Sequence, residues 1–519
     1  MERLKRIIYS RSFLVLLSLG ISILVVSIGL ATIANSFREL WLILHTLSFL
    51  IVVGIINRPM NAAFKLAWVV FVLALPVFGA VFYFIMRFNW ETFRYRRTFS
   101  AQTRTFHKYM NDNGHHSRKA LRVLSEKGPS QEGLGRYMTN HVGYPLYVNS
   151  DARYYPSGEA MFETYIRDLK AAKEYIFMEY YIVDFGYMWQ RVLDILKEKA
   201  KEGVEVRFMY DGMNSLALLP YHYYKRLESY GIKAKVFSQL IPALSTVQNN
   251  RDHRKITVID GKIAYTGGIN MADEYINRIQ RFGYWKDAVI RVTGEAVTSF
   301  NVMFLQMWNF NTKVNHEDIR YLSDQIARFE PEVTDDAVFL PYGENPFNDE
   351  NVGKRIYLTM FQQARESIDI MTPYLVLDDE TLDNLIYAAK RGVRVRILLP
   401  SIYDKKTAYL ASRTDFMTIL KSGIELYEYE PGFVHSKVVL VDGVKATVGS
   451  VNLDFRSFYL NFECGLYLYN HPQTLSAISD DFSDSFNKSR QITRDSFAKT
   501  YPWYKRLAGY LIKVFSPLM

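Results

Sequence analysis

A single cysteine, Cys464, in 519 residues excludes any disulfide within the chain, so packing must hold the fold, and the cellular compartment stays open. No Walker-type glycine-rich run ending in Lys-Ser/Thr is present, which removes the usual P-loop cradle for a nucleotide. Metal-ligand clusters are equally scarce. The adjacent His115 and His116 have no convincing further ligands nearby and read as part of a solvated loop. Asp378-Asp379-Glu380 reads as an acidic helix start favoured by the helix dipole. No metal or cofactor is expected. Acidic residues also fall short of basic ones, 53 against 63, and the formal charge of +10 points to anionic partners, nucleic acid or acidic lipid. With 49% hydrophobic and 15% aromatic residues the chain is a folded protein, with room for a membrane region and two domains of ordinary size.

Long apolar runs are confined to residues 1–97. Phe13–Ile33 carries no charge and follows Arg3, Lys5, Arg6 and Arg11. Its length suits a membrane anchor better than a cleaved signal peptide, because Ala34-Asn35-Ser36 is a poor cleavage site. Trp41–Ile56 is a shorter run holding His45, and Phe64–Met86 is a third, with Trp68 and Tyr83 near its ends and Pro76 as a tolerated kink. Basic residues before the first run and after the third (Arg87, Arg94, Arg96, Arg97) favour an even number of crossings, with Trp41–Ile56 re-entrant or interfacial. The expectation is a multi-pass protein of the cell membrane, with a basic linker over 98–145 that includes a short helix near Lys119–Lys127.

Two stretches further on carry the chemistry. His253-x-Lys255 is followed after four residues by Asp260, then Gly261, and later by Gly267-Gly268-x-Asn270. His435-x-Lys437 is followed at the same spacing by Asp442, Gly443 and Gly449-Ser450-x-Asn452. One such match arises by chance in a few per hundred chains of this composition, roughly, but two with the same trailing glycines and asparagine do not. The residues between Lys and Asp are largely β-branched (Ile256-Thr-Val-Ile259, Val438-Val-Leu-Val441), which reads as a buried strand ending in a turn. Residues two apart on a strand share a face, so each histidine lies beside its lysine. An imidazole next to an ammonium suits attack on a phosphate.

Around these stretches helix and strand alternate. Gly158–Ala172 has helical spacing, Tyr175–Val183 is strand-like, Met188–Glu202 is helical, Val204–Tyr210 is a strand, a helix lies around Tyr221–Tyr230, and Ala234–Phe237 leads towards the first motif. The alternation predicts an α/β domain with a central sheet. Ala200-Lys-x-Gly-Val-x-Val-Arg207 recurs as Ala389-Lys-x-Gly-Val-x-Val-Arg396, at nearly the offset that separates the two motifs, so the second half duplicates the first. The halves are placed at 146–330, with motif 253–270, and 331–519, with motif 435–452, joined by a Pro/Gly-rich connector over Phe329–Asn351. Asp287 follows His253 by 34 residues and Glu463 follows His435 by 28, as counterparts.

The paired motifs resemble the HKD motifs of the phospholipase D superfamily. The phrase from Asn57-Arg58-Pro59 through Leu75-Pro76 and Gly79 to Tyr83 resembles the N-terminal segment that precedes the catalytic halves of bacterial cardiolipin synthases. The resemblance implies two phospholipase D-like domains related by a pseudo-twofold axis, with His253, Lys255, Asp260, His435, Lys437 and Asp442 as the catalytic set. It implies that Asn270, Ser450 and Asn452 face the phosphate, that Asp287 and Glu463 hold the outer nitrogen of each imidazole, and that Asp260 and Asp442 also secure the turns. Two histidines then divide the work through a phosphohistidine; the symmetry of the motifs conceals their order, and His253 is named as nucleophile with His435 as acid and base. The first copy has Gly268 where the second has Ser450, a form common in those synthases. The implied reaction moves a phosphatidyl group between two molecules of phosphatidylglycerol, an anionic phospholipid of the membrane. A phospholipase D hydrolase is the alternative. A nuclease gains nothing from the apolar runs, so no nucleic-acid partner is expected, and a non-enzymatic scaffold requires a broken motif.

Overall fold

The β-branched runs that follow each His-x-Lys form strands at the middle of two sheets. In this computed structural model, residues 28–29, 32, 38–87, 90–111, 115–215, 217–238, 249–310, 312, 318–322, 336–348 and 350–514 are described. Across the first sheet lie Ser150–Tyr155, Val289–Gly294, Ile263–Gly267, Lys255–Ile259, Tyr175–Tyr180, Glu205–Asp211 and Lys233–Phe237. The second sheet repeats that order with Val338–Glu344, Asn461–Tyr469, Lys445–Gly449, Val438–Val441, Ser367–Met371, Arg394–Pro400 and Glu425–Tyr429, and adds Ser489–Ile492 at its far edge. The last three of the seven shared strands pair in parallel, through crossover helices such as Tyr187–Lys201 and Asp379–Lys390, and the motif strand pairs antiparallel. The duplication read from the sequence is therefore a duplication of fold.

Local chemistry sets the element ends. Ser157 accepts from the Ala160 N–H at the start of Gly158–Ala171, and Asp378 accepts from the Thr381 N–H at the start of Asp379–Lys390. Lys354 bonds Asp378 at 2.5 Å and Glu380 at 2.6 Å, so the acidic triplet is a capped and paired helix start. One hydrophobic core runs through both halves, joining Phe177, Ile256 and Ile290 of the first to Phe339, Val439 and Leu466 of the second. A second core lies on the outer face of the first sheet, around Trp189, Tyr165 and Phe208. The stretch after the apolar runs is also helical, over Trp90–Asn111, His115–Glu126 and Pro129–Tyr137. These helices bury Phe106, Leu124 and Leu134 in the main core, which is why a segment that reads as polar overall is ordered. His115 and His116 open the second of them.

Two compact units divide the chain at Trp90: residues up to Trp90 belong to one, and Glu91–Lys513 apart from 244–246 to the other. The expectation of a multi-pass membrane region is corrected by the first unit. Among the described residues no helix is long and apolar enough to cross a membrane. The third run, 64–86, is broken in two, Ala62–Ala74 and Pro76–Arg87, because the proline ring disfavours helix in the residue before it and supplies no N–H. Pieces of 13 and 12 residues span about 20 Å each, well short of an apolar core of about 30 Å. The second run lies in Arg38–Ile56, whose first turn holds Arg38 and Glu39, and its apolar part covers only about 24 Å. Phe13–Ile33 lies, but for Ile28, Gly29 and Thr32, outside the described residues. The remaining helices bury Val52, Ile55, Val72, Ala80 and Tyr83 against one another.

Candidate active site

Each half lends a short strand to the other, and the two histidines sit where those strands end. Arg251–Asp252 runs parallel to Asn461–Phe462, and the His253 N–H donates to the Phe462 carbonyl at 2.9 Å. Gly432–Val434 runs parallel to Tyr284–Lys286, and the His435 N–H donates to the Lys286 carbonyl at 2.7 Å. Both imidazoles are thus fixed by backbone from the opposite half. Arg254 adds a further tie. Its guanidinium is fully buried and donates to the carbonyls of Glu463, Met303 and Glu344 at 3.1–3.2 Å.

The carboxylates cross in the same way. His253 Nδ1 lies 2.7 Å from Glu463, and His435 Nδ1 lies 2.6 Å from Asp287. In sequence each acid is counted from the histidine of its own half, but in space it serves the other one. A carboxylate on Nδ1 fixes the tautomer and leaves Nε2 of each ring for the reacting group. The supports of the two acids differ. Glu463 accepts from the Ser450 hydroxyl at 2.6 Å, the Ser457 hydroxyl at 2.8 Å and the Asn461 amide at 3.0 Å. Asp287 accepts from its neighbour's backbone N–H, at Ala288, at 2.8 Å.

This difference accounts for the Gly268/Ser450 asymmetry. A Cβ at Gly268 would stand 2.0 Å from Asp287 Oδ1, so the shorter acid occupies the space that a side chain would need. Gly268→Ser is therefore expected to displace Asp287 and disconnect His435, lowering kcat by about 10²-fold or more with little change in KM. Steady-state kinetics check this, and a variant with wild-type kcat would mean that the strand yields instead.

Lys255 and Lys437, each 2% exposed, flank the histidines and donate their ammonium protons to the carbonyls of His253 and His435 respectively. Burial, reinforced by Lys255 and Lys437, holds His253 well below the usual imidazole range. Burial and Lys437, opposed by Asp287, bring His435 down to about 4. Burial pushes the Asp287 carboxyl up, but His435 and Lys437 together bring it below the usual carboxylate value. Glu463 goes the other way: burial raises it, and Lys255 and its hydrogen-bond donors only partly compensate. Burial lowers Lys255 to about 8, and burial, opposed by Asp287 and reinforced by Lys255, lowers Lys437 to about 7.

The lysine shift has a consequence for stability. Between about pH 7 and its ordinary 10.5, the unfolded chain keeps a proton on Lys437 that the fold has released, so stability rises with pH across that window. Below 7 the fold bears a buried cation. Lys437→Met removes that dependence, so its stability relative to the parent is expected to fall by roughly 1 kcal/mol per unit as pH climbs from 7 to 10.5. Denaturant melts at several pH values check the sign, and a difference between variant and parent that stays constant or moves the other way across that window would contradict it.

The other residues singled out in the sequence divide between the site and its supports. Asp260 and Asp442 are not brought to the histidines. They lie at the far ends of the motif strands, roughly 16 Å along at the rise of a β-strand. Asp260 accepts from the N–H groups of Lys173, Glu174 and Tyr175 at 2.8–2.9 Å, and Asp442 from those of Arg365, Glu366 and Ser367 at 2.8–3.0 Å. Both have φ above 50°, so they hold the strand turns. Ser450 faces Glu463. Asn270 accepts from the Ile182 N–H at 3.0 Å and donates to the Tyr275 hydroxyl at 2.7 Å, whereas the buried Asn452 Oδ1 has no hydrogen-bond partner among the described residues. Aromatic rings wall the histidines: Tyr181 lies 4.7 Å from His253, and Trp285 and Tyr275 lie 5.3 and 5.5 Å from His435. Trp285, Tyr275, Ser457 and Asn461 were not singled out as site residues. Only Asn461 had a signal, since it lies two residues before Glu463 on one strand face.

Comparison with known proteins places this geometry. Residues 165–308 and 357–489 match the family described as cardiolipin synthase, PLD-like domain, and residues 46–87 match phospholipase D-nuclease N-terminal. A protein of Streptococcus mutans, described as uncharacterized, is 40% identical over 90% of this chain and 99% of its own length. A cardiolipin synthase of Alkalihalophilus pseudofirmus is 34% identical over 94% of this chain and 96% of its own, and one of Geobacillus kaustophilus is 34% identical over 96% and 99%. Among solved structures, phosphatidylserine synthase of Haemophilus influenzae matches with a TM-score of 0.55 at 16% identity, over 75% of this chain and 99% of that one, a likeness of fold.

Proposed function

Because the chain belongs to the cardiolipin synthase family of phospholipase D-like proteins, we propose that it joins two phosphatidylglycerol molecules, giving cardiolipin and glycerol, through a phosphohistidine. The observation that carries the reading is the crossed arrangement: two buried His–carboxylate pairs, each built from both halves, flanked by two buried lysines. A phosphodiester resists attack because its own negative charge repels the nucleophile. Lys255 and Lys437 offset that charge in a pocket where burial makes them effective.

The unequal acids support an order of roles. His435 faces an ionised Asp287, which stabilises an imidazolium, so this ring takes and gives the proton. His253 faces the less acidic Glu463 and remains a neutral nucleophile. In the first step His253 Nε2 forms a bond to phosphorus while the bond from phosphorus to the glycerol oxygen breaks, and His435, which takes up a proton as the anionic phosphodiester binds beside it, delivers that proton to the departing oxygen. In the second, His435 removes the proton from the glycerol hydroxyl of the incoming phosphatidylglycerol, that oxygen attacks phosphorus, and the N–P bond breaks.

Purified protein with labelled phosphatidylglycerol in detergent micelles tests the reading. Cardiolipin and free glycerol in equal amounts are expected. Phosphatidic acid in place of cardiolipin would show water as the acceptor, and the absence of both products would remove the reaction.

A further inference from the structure

The helix Trp503–Val514 exposes an apolar face that nothing in the reaction uses. Trp503, Tyr504, Leu507, Tyr510 and Leu511 are 73, 57, 52, 54 and 63% exposed. At 3.6 residues per turn these positions form one stripe about a third of the circumference wide. The opposite face is anchored. A Cβ at Gly509 would stand 2.6 Å from the Leu410 carbonyl oxygen, so this helix meets Lys406–Ser412 backbone to backbone. Lys513 bonds Asp415 at 2.6 and 2.8 Å, and Tyr501, just before the helix, donates to the Leu410 carbonyl at 3.4 Å. The stripe is therefore held outward on a docked helix.

Its composition and its neighbours select the occupant. Tryptophan, tyrosine and leucine on one face with basic residues around them suit the boundary between headgroups and acyl chains. Residues 494–514 contain five basic side chains (Arg494, Lys499, Lys505, Arg506, Lys513) and one acid, Asp495; Lys513 is paired with Asp415, and the other four still outnumber the acid, which matches an anionic surface. The face is also linked to the reacting centre. Lys406–Ser412, on which it docks, follows the exposed Ile402 and Tyr403, and Tyr403, Lys405 and Tyr409 share a small cavity with Phe433. Phe433 lies 4.9 Å from Trp285 and 6.0 Å from His435.

We propose that the outward face of Trp503–Leu511, continued by Ile402 and Tyr403, docks on the surface of an anionic phospholipid assembly and presents the His435 side of the site to it. This rests on the proposed lipid substrate. It concerns a helix lying in an interface, not one crossing a bilayer.

The sole native thiol, Cys464, is buried, so a cysteine placed on the helix takes a dye selectively. In full-length Leu507→Cys and Tyr510→Cys proteins carrying an environment-sensitive fluorophore, phosphatidylglycerol vesicles are expected to shift emission to the blue and cut iodide quenching about threefold. Brominated acyl chains are expected to quench both labels and to spare a label at Glu198→Cys, on the exposed side of another helix. The readout is local, so lipid binding elsewhere in the chain does not imitate it. Labels that stay open to iodide with vesicles present overturn the proposal. So do labels already shielded without lipid, which would mean that a second copy or another segment covers the face, and so does equal burial in phosphatidylcholine vesicles, which removes the anionic preference. Turnover without label burial sinks this inference alone, whereas burial without turnover sinks only the proposed reaction.

Discussion

His253→Ala is expected to lose phosphatidyl transfer by roughly 10⁴-fold or more, and His435→Ala to lose a comparable amount, for different reasons. Without His253 no nitrogen takes the phosphatidyl group. Without His435 the group can still be taken, but the departing glycerol oxygen receives no proton. A substrate in which p-nitrophenol replaces the glycerol headgroup separates the two, because a phenolate leaves without protonation. With that substrate His435→Ala is expected to release one equivalent of p-nitrophenol in a burst and to retain an acid-labile phosphatidyl adduct, while His253→Ala shows no burst. The reverse pattern would make His435 the nucleophile, and bursts from both variants would remove the phosphohistidine. Both changes leave the core elements untouched, and since each imidazole is buried against a carboxylate, circular dichroism melts should accompany the kinetics.

Much of this site is written in local patterns. The repeat of His-x-Lys with its β-branched strand and trailing glycines fixes which strands lie at the centre, because alternation and β-branching act over a few residues. The helix Gly158–Ala171 and the strands Tyr175–Tyr180 and Glu205–Asp211 lie within a few residues of where periodicity puts them. The exchange of strands between halves is not written that way. Pairing of Arg251–Asp252 with Asn461–Phe462 joins segments 210 residues apart and leaves no spacing to read, so each acid was counted with the histidine of its own half. The role of Asp260 was half legible: membership of the motif suggested chemistry, but its three backbone N–H partners come from Lys173–Tyr175, which only the fold brings near.

The apolar runs misled for a related reason. Hydropathy counts residues and ignores where a helix can continue. At Pro76 the third run is cut, and Ala62–Ala74 and Pro76–Arg87 bring Trp68 and Tyr83 within 5.1 Å of each other instead of holding them near the two ends of one span. The short helices then bury Val72 and Tyr83 together. Other apolar residues of the same runs, such as Leu66, Leu73, Val81 and Phe84, stay exposed, and a window average does not separate these two fates from burial in lipid.

Crossing of the acids has the sharper kinetic consequence. Asp287→Asn alters a residue of the first half, yet its effect is expected at His435 in the second. The Asp287 carboxylate accepts from Nδ1 and supports the imidazolium. An amide there loses the charge and can turn its N–H towards the ring, favouring the wrong tautomer, which in comparable His–Asp pairs lowers kcat by about 10³–10⁴-fold. With the p-nitrophenyl substrate the burst should survive in Asp287→Asn and only breakdown of the adduct should slow. Glu463→Gln is expected to slow the burst itself, because Glu463 orients the nucleophilic ring at 2.7 Å. Its loss should be the milder of the two, about 10–10²-fold, since Ser450, Ser457 and Asn461 still hold the side chain in place and the replaced carboxyl is already the less acidic one. If Asp287→Asn abolished the burst and Glu463→Gln spared it, each acid would be acting on its own half, and the exchange of strands would have no bearing on catalysis.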